Sequence, residues 1–324
     1  MRTRLVRLLA FVLVTAIVSF SVWLTMAIYS EGRHKQAVRV VLPVGASVSE
    51  IAVLLNDAQV LSQPLVFELW ARVLGEQRKL KAGEYIVPPR ASLEDISRLI
   101  RSGQTVWRRL TVAEGLTSAK VVKLIATIEG LSGQIDTVPP EGTVLPETYF
   151  YSWGDSRAKV VRRMGLAMEQ VLAKAWEGRS ANLSIKSPRE ALILASIIEK
   201  ETAVPEERAR VAGVFHNRIR LGMRLQSDPT VSYGLAQQGE ILKRPLNRSD
   251  LTRPTSYNTY LIKGLPPGPI SNPGRASIEA ALHPQESDEI YFVANGEGGH
   301  AFARTLKEHQ RNVARWRKIR KRGK

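Results

Sequence analysis

The sequence predicts an α+β protein in three parts: one N-terminal transmembrane helix, a small α/β module and a larger mixed α/β domain. Three observations predict it. Residues 8–29 form an uncharged apolar run. Residues 38–105 alternate short strand patterns with short, well-signalled helices. From residue 156 onward the helical periods lengthen, and the chain closes with a Gly-rich hairpin and a basic helix.

Residues 8–29 read LLAFVLVTAIVSFSVWLTMAIY. As a helix rising ~1.5 Å per residue they extend ~33 Å, enough for a bilayer core of ~30 Å. Arg2, Arg4 and Arg7 precede the run, which predicts a cytoplasmic tail at 1–7 and the bulk of the chain on the other side. Arg33, Lys35 and Arg39 follow it and weaken the bias. The rival reading is a cleaved signal peptide, but the run exceeds the usual ~7–15 residues of such segments.

The elements of the module follow in order. Residues 38–43 pattern as a strand. Ser47 and Glu50 stand at capping-box spacing before the periodic run IAVLLNDA, hence a helix. Residues 64–75 make a second helix and 83–87 a short strand. Ser92 opens a third helix that ends near Gly103. No cluster of titratable groups here resembles an active site.

In the larger domain, residues 106–112 pattern as a strand. Residues 117–129 make a helix closed by Gly130, and the Gly- and Pro-rich stretch 131–146 a loop. Residues 156–177 form a long amphipathic helix. Ser187, Pro188 and Glu190 are a strong helix start, with Ser at the cap, Pro at the first position and Glu three residues after the cap. The ALILASII that follows is apolar on every side, which predicts burial. Glu199 falls on the face of Leu192, Ala195 and Ser196, near the negative end of the helix. Both surroundings favour a protonated carboxyl, as a general acid requires. A Glu turned to solvent or paired with an Arg is the plainer alternative.

Residues 205–221 predict a helix closed by Gly222, and Asp228 a helix cap with Pro229 at the first position. Tyr257–Tyr260 and the Gly/Pro-rich 264–270 read as loops, where binding groups concentrate; ordinary turn chemistry explains each singly. Residues 290–294 and 301–304 predict a hairpin, and Thr305 with Glu308 the start of a last helix. No internal repeat is evident.

The 324 residues carry 47 Lys+Arg against 30 Asp+Glu, a net +17, and no cysteine. Thiol nucleophiles, Cys-ligated metals and disulfides are excluded. The charge points to an acidic partner. Ten of the basic residues lie in 304–324, read either as an anion-binding helix or as a solvated terminus. No nucleic-acid motif accompanies them. None of the five histidines stands at metal-ligand spacing, so no metal is expected. A P-loop, a dinucleotide fingerprint and a GxSxG elbow are absent, so no cofactor is expected. Acid–base chemistry by a carboxylate survives.

The segment LASIIEKETAVPEERARVAGVFHNRIRLGMRLQSDPTVSYGL (194–235) resembles the MltG/YceG-type endolytic murein transglycosylases. So do SYNTYLIKGLPPGPISNPG (256–274) and YFVANGEGGHAFARTLKEHQRNV (291–313). Glu141-Gly142 and Pro146-Glu147-Thr148-Tyr149 match an EG…PDTY element, with Glu in place of Asp at 147. His216 and the region 143–145 depart from the pattern.

The resemblance implies a LysM-like module at 38–105 and a catalytic domain at 106–324. It also implies a single-pass inner-membrane protein facing the periplasm. Such a protein cuts nascent peptidoglycan strands between N-acetylmuramic acid and N-acetylglucosamine, leaves 1,6-anhydromuramic ends and ends strand elongation. The family's catalytic glutamate falls on Glu199. One carboxylate suffices there because the nucleophile is the sugar's own C6 hydroxyl, and no second carboxylate is evident in the sequence. For sugar binding the expected residues are Asn217, Gln226, Ser227, Asp228, Tyr257, Asn258 and Thr259, with Glu147 as a further candidate. Glu201 is expected to be structural. The implied partners are glycan strands, the inner membrane and the strand-building synthases (penicillin-binding proteins). The rival is a peptidoglycan-binding scaffold without activity. A cytosolic lyase or a nucleic-acid binder is disfavoured by the apolar run.

Overall fold

A computed structural model describes residues 2–75, 78–236, 242 and 244–322. The chain divides into two units. One comprises Met1–Arg109, Glu129–Ser132 and Phe150–Asp155; the other comprises Leu110–Ile128, Gly133–Tyr149 and Ser156–Lys324.

In the first unit, α1 (Arg2–Tyr29) is a single apolar helix, long and apolar enough to cross a membrane. Strands β1 (Val38–Leu42) and β2 (Gly83–Val87) pair antiparallel, with Val40 opposite Tyr85. Between them lie α2 (Val48–Asp57) and α3 (Pro64–Val73), and after them α4 (Leu93–Ser102). Ser47 and Ser92 each close a complete capping box, which is why α2 and α4 begin where the spacing predicts. Leu42, Leu55, Phe67, Tyr85, Ile96 and Ile100 are fully buried and form the unit's core. The Tyr85 hydroxyl is satisfied by the carbonyls of Lys81 (2.8 Å) and Ile100 (3.2 Å). The fully buried Glu84 carboxylate is gripped by Arg39 at 2.6 Å and by Arg108 at 2.6 and 3.1 Å. Those cations hold it below the usual carboxylate range, the Arg108 hydrogen bond contributing most.

Strand β3 (Arg108–Thr111) pairs with β4 (Thr148–Tyr151), and the boundary between the units falls within both strands. Strand β4 corrects the sequence reading, which placed no strand between the loop ending at 146 and the helix starting at 156. Its TYFY offers no apolar–polar alternation, so only the pairing with β3 reveals it.

The second unit is built on α5 (Ser118–Ala126), α6 (Arg157–Glu177) and α7 (Pro188–Glu201). They are followed by α8 (Arg208–Arg220), α9 (Asp228–Leu235) and α10 (Arg275–Leu282). Helix α7 is the hub, packed against α6, α8, α9 and α10, and every residue from Ala191 to Ile198 is buried. The all-apolar octet therefore does what its pattern predicts: it is covered on all sides. Phe215 of α8 and Ile278 of α10 fill the same core. The predicted helix over 205–221 splits into a 3₁₀ turn, Pro205–Glu207, and α8. Helix α10 went unpredicted. Its N-cap is Gly274, which offers no side-chain cap to recognise.

At Gly213 of α8 the chain admits only a hydrogen, because an added Cβ would stand 2.3 Å from the backbone oxygen of Gln285. Gly213→Ala is expected to lower unfolding free energy by roughly 1–3 kcal/mol, the usual cost of overpacking against rigid backbone. Urea titration checks it, and an unchanged midpoint overturns the close-approach argument.

Strands β5 (Tyr291–Ala294) and β6 (His300–Ala303) form the predicted hairpin, with Phe292 opposite Phe302. Helix α11 (Leu306–Arg322) starts at the Thr305–Glu308 box and packs on it, with His309 stacked on Tyr291 at 5.0 Å.

Candidate active site

Burial along α7 ends at Ile198, and Glu199 is half-buried. The expected sealing of this carboxyl against an apolar face is therefore not what the fold provides. Polar groups surround it instead. Its Oε2 accepts the backbone N–H of Gly274 at 2.9 Å, where α10 begins. Gly115, which follows β3, lies beside both the Glu199 stem and Lys200, and the Lys200 ammonium donates to the Gly115 carbonyl at 3.3 Å.

Gly274 also carries a second carboxylate. A Cβ at Gly274 would fall 1.7 Å from Oε1 of Glu114, so Glu114 and Glu199 converge on one residue. Burial, and then the charge of Glu199, push the Glu114 pKa up, while Arg208 at 3.9 Å opposes them. This corrects the expectation that no second carboxylate accompanies Glu199. Glu114 comes from 85 residues upstream, and only the folded chain brings it there.

Asn272 assembles the wall of the site. Its side chain is fully buried, and Nδ2 donates to the Leu116 carbonyl (3.0 Å), Ser118 Oγ (3.2 Å) and Glu141 Oε1 (3.4 Å). Its Oδ1 accepts the Val144 N–H at 3.0 Å. The segment before it is pinned to α7, since Ser196 Oγ accepts the Ile270 N–H at 3.0 Å. Glu141 in turn accepts the Ser118 N–H (2.8 Å) and the Tyr233 hydroxyl (3.3 Å), and burial raises its pKa. Tyr233 pairs with Tyr257, ring centroids 4.8 Å apart. A cleft of ≈ 480 Å³ runs past these groups, lined by Gly115, Thr117, Lys200, Asp228, Tyr233 and Ile270 among others. Two of its lining residues, Gly115 and Lys200, flank Glu199.

The predicted sugar-binding residues divide. Asp228 lines the cleft and Tyr257 packs on its lining residue Tyr233, whereas Ser227 and Thr259 are buried behind them. The Ser227 hydroxyl donates to Glu201, its N–H donates to Thr259 Oγ1 (2.9 Å), and Asp228 Oδ1 accepts the Tyr260 hydroxyl (2.7 Å). Ser227 is the residue that flanks α9 and Asp228 is its first helical residue, which corrects the reading of Asp228 as the cap. Gln226 is exposed, with φ +51°, and its N–H donates to the Thr259 carbonyl.

Asn258, Asn217 and Glu147 are held by other partners away from the cleft lining. Asn258 is fully buried, its amide spent on the carbonyls of Leu251 and Arg253. Asn217 clamps the carbonyls of Ser287 and Glu289 and lines a different cavity with Arg220 and Asp288. Glu147 is an exposed partner of Arg275 at 3.1 Å, one residue past Gly274. His216, the departure noted in the sequence, accepts from the Ser184 N–H through Nδ1 and meets the Ala281 carbonyl through Nε2 (2.9 Å). It is a buried structural group.

Glu201, expected to be structural, does hold Ser227. Burial of its carboxyl, with Asp228 adding to it, also pushes its pKa up to about 7 against the pull of Ser227 and Arg218.

Sequence comparison places the chain. A family profile, the YceG-like family, matches residues 40–315. The chain is 30% identical over 312 residues to an endolytic murein transglycosylase of Bacillus subtilis, covering 87% of this chain and 85% of that one. It is 28% identical over 329 residues to the endolytic murein transglycosylase of Streptococcus pneumoniae D39, covering 88% of this chain and 59% of that longer one. A crystal structure of a yceG-like protein from Listeria monocytogenes superposes with a TM-score of 0.52 at 31% identity, covering 86% of this chain and 99% of that one.

Proposed function

The chain belongs to the YceG-like family, and from that premise we propose that it is an endolytic murein transglycosylase with Glu199 as its acid and base. The observation that carries the reading is Glu199 fixed by the Gly274 N–H beside a cleft lined by Thr117, Lys200, Asp228, Ser232 and Tyr233. Such groups suit a sugar polymer, since hydroxyls and N-acetyl groups need hydrogen-bond partners and a sugar face stacks on an aromatic ring. The relatives' printed name supports the substrate class.

In this reading Glu199 gives its proton to the oxygen joining N-acetylmuramic acid to N-acetylglucosamine. The C1–O bond breaks, and positive charge builds at the muramic C1. The same carboxylate then removes the proton from the C6 hydroxyl, whose oxygen closes on C1. The products are a free 4-hydroxyl and a 1,6-anhydro end, and Glu199 is protonated again. No water is consumed. Asp228 and Tyr257 would line the strand, and α1 would hold the chain in the membrane with the larger unit on the periplasmic side. There it could meet the synthases that make its substrate, and the module at 38–105 would add a LysM-like glycan contact.

Digestion of uncrosslinked glycan strands by the detergent-solubilised chain, followed by mass spectrometry, tests the proposal. Anhydro-ended fragments are expected. Reducing ends would transfer the reading to a hydrolase using the Glu114–Glu199 pair, which is the specific alternative that the geometry favours. Intact strands retained on the protein would mean a binding scaffold.

A further inference from the structure

The outer face of α3 is unusual for a soluble module. Val66, Phe67, Trp70 and Ala71 point into the core, as the helical period requires. Leu65, Leu69 and Val73 recur at i, i+4 and i+8 on another face and are 74%, 61% and 81% exposed. They form a continuous apolar ridge that is largely uncovered among the described residues. Ridges of this kind mark contact surfaces.

The position of α1 says what covers this one. Leu24, Ala27 and Ile28 of α1 pack against the module's own core, and α1 touches both α3 and α4. A span that starts at Leu8 needs about 20 residues to cross the hydrocarbon, so it ends near Ala27. The residues that finish the crossing are thus the residues embedded in the module. The module therefore meets the bilayer surface around α1, and the helix bearing the ridge is one of the two helices against the span.

We propose that the Leu65–Leu69–Val73 ridge of α3 lies in the headgroup–acyl boundary of the bilayer that α1 crosses, making the module a monotopic foot beside the anchor. The inference rests on the reading of α1 as a membrane span. Lipid fits the ridge better than a glycan does, because three aliphatic side chains offer a sugar neither a hydrogen bond nor a ring to stack on. Arg72, on the same turn as Val73 and paired with Glu68 at 3.2 Å, has a stem long enough to keep its charge at headgroup level.

The chain has no cysteine of its own, so single labels can be placed without background. Leu69→Cys, carrying an environment-sensitive fluorophore, is reconstituted as the full chain in phosphatidylcholine vesicles with and without brominated acyl chains. A Ser21→Cys label inside α1 sets the embedded limit. Brominated lipid is expected to quench both labels, and aqueous iodide to reach the Leu69 label several-fold less than it does in the free fluorophore. If the Ser21 label is quenched by lipid while the Leu69 label answers only to iodide, the ridge proposal is overturned and the span stands. If neither label meets lipid, the span reading falls and takes the proposal with it. Shielding of the Leu69 label by added glycan strands, or by self-association in vesicles of unbrominated and brominated lipid alike, also overturns it.

Discussion

Glu199→Gln is expected to slow strand cleavage by roughly 10²–10⁴-fold while leaving the fold intact, the range lost when a positioned acid–base group is removed. The substitution is nearly isosteric. The Gln amide oxygen can still accept the Gly274 N–H, so the junction between α7 and α10 keeps its hydrogen bond. What the amide cannot do is give up a proton and take one back. Glu114 does not stand in for it, since reaching the position of Glu199 would require leaving Gly274 and Arg208. Cleavage is to be measured with the thermal midpoint recorded on the same preparation. A loss smaller than about tenfold with an unchanged midpoint would remove Glu199 from the chemistry.

Glu201→Gln is expected to act on stability, with a sign set by pH. The Glu201 pKa rises from 4.5 to about 7 on folding. Between those values the folded state holds a proton that the unfolded chain has released. Stability therefore falls as pH rises through this window, and the loss is complete above about 7. A shift of that size is worth on the order of 3 kcal/mol. Glutamine stays neutral and can still accept the Ser227 hydroxyl. The variant should match the wild type near pH 5 and be the more stable of the two near pH 8, as read from urea midpoints. A difference that does not vary with pH would show that Glu201 is ionised throughout. Functionally, the neutral form keeps Ser227 and the start of α9 seated without placing a second negative charge beside Asp228.

The sequence was most legible where the signal is local. Ser187, Pro188 and Glu190 announce α7, and the apolar octet announces its burial, because capping and periodicity depend on neighbours a few residues away. The serine caps of α2 and α4 behave the same way. Helix α10 escaped because a glycine cap leaves no side chain to read, and β4 because four residues need their partner to count as a strand. In the site, Glu199 could be singled out from its helix position, but its surroundings could not. Glu114 reaches it, and Glu141 and Asn272 join in the wall before Gly274, only through folding. Asn217 shows the converse difficulty. Beside His216 and Arg218 it looks like binding machinery, yet its amide is satisfied by carbonyls 70 and 72 residues away. Local sequence does not record such a partner.

The wall held by Asn272 has a consequence for timing. It joins the stretches around residues 116, 141 and 144 to the start of α10, and Glu199 itself leans on Gly274. A ribosome that has released Glu199 but not yet Gly274 carries a chain with a glutamate and no groove. Any truncation before residue 272 has the same defect. On the proposed role of Glu199, cutting is thus unavailable to incomplete copies, and it arises only when the chain past Gly274 has been made and folded.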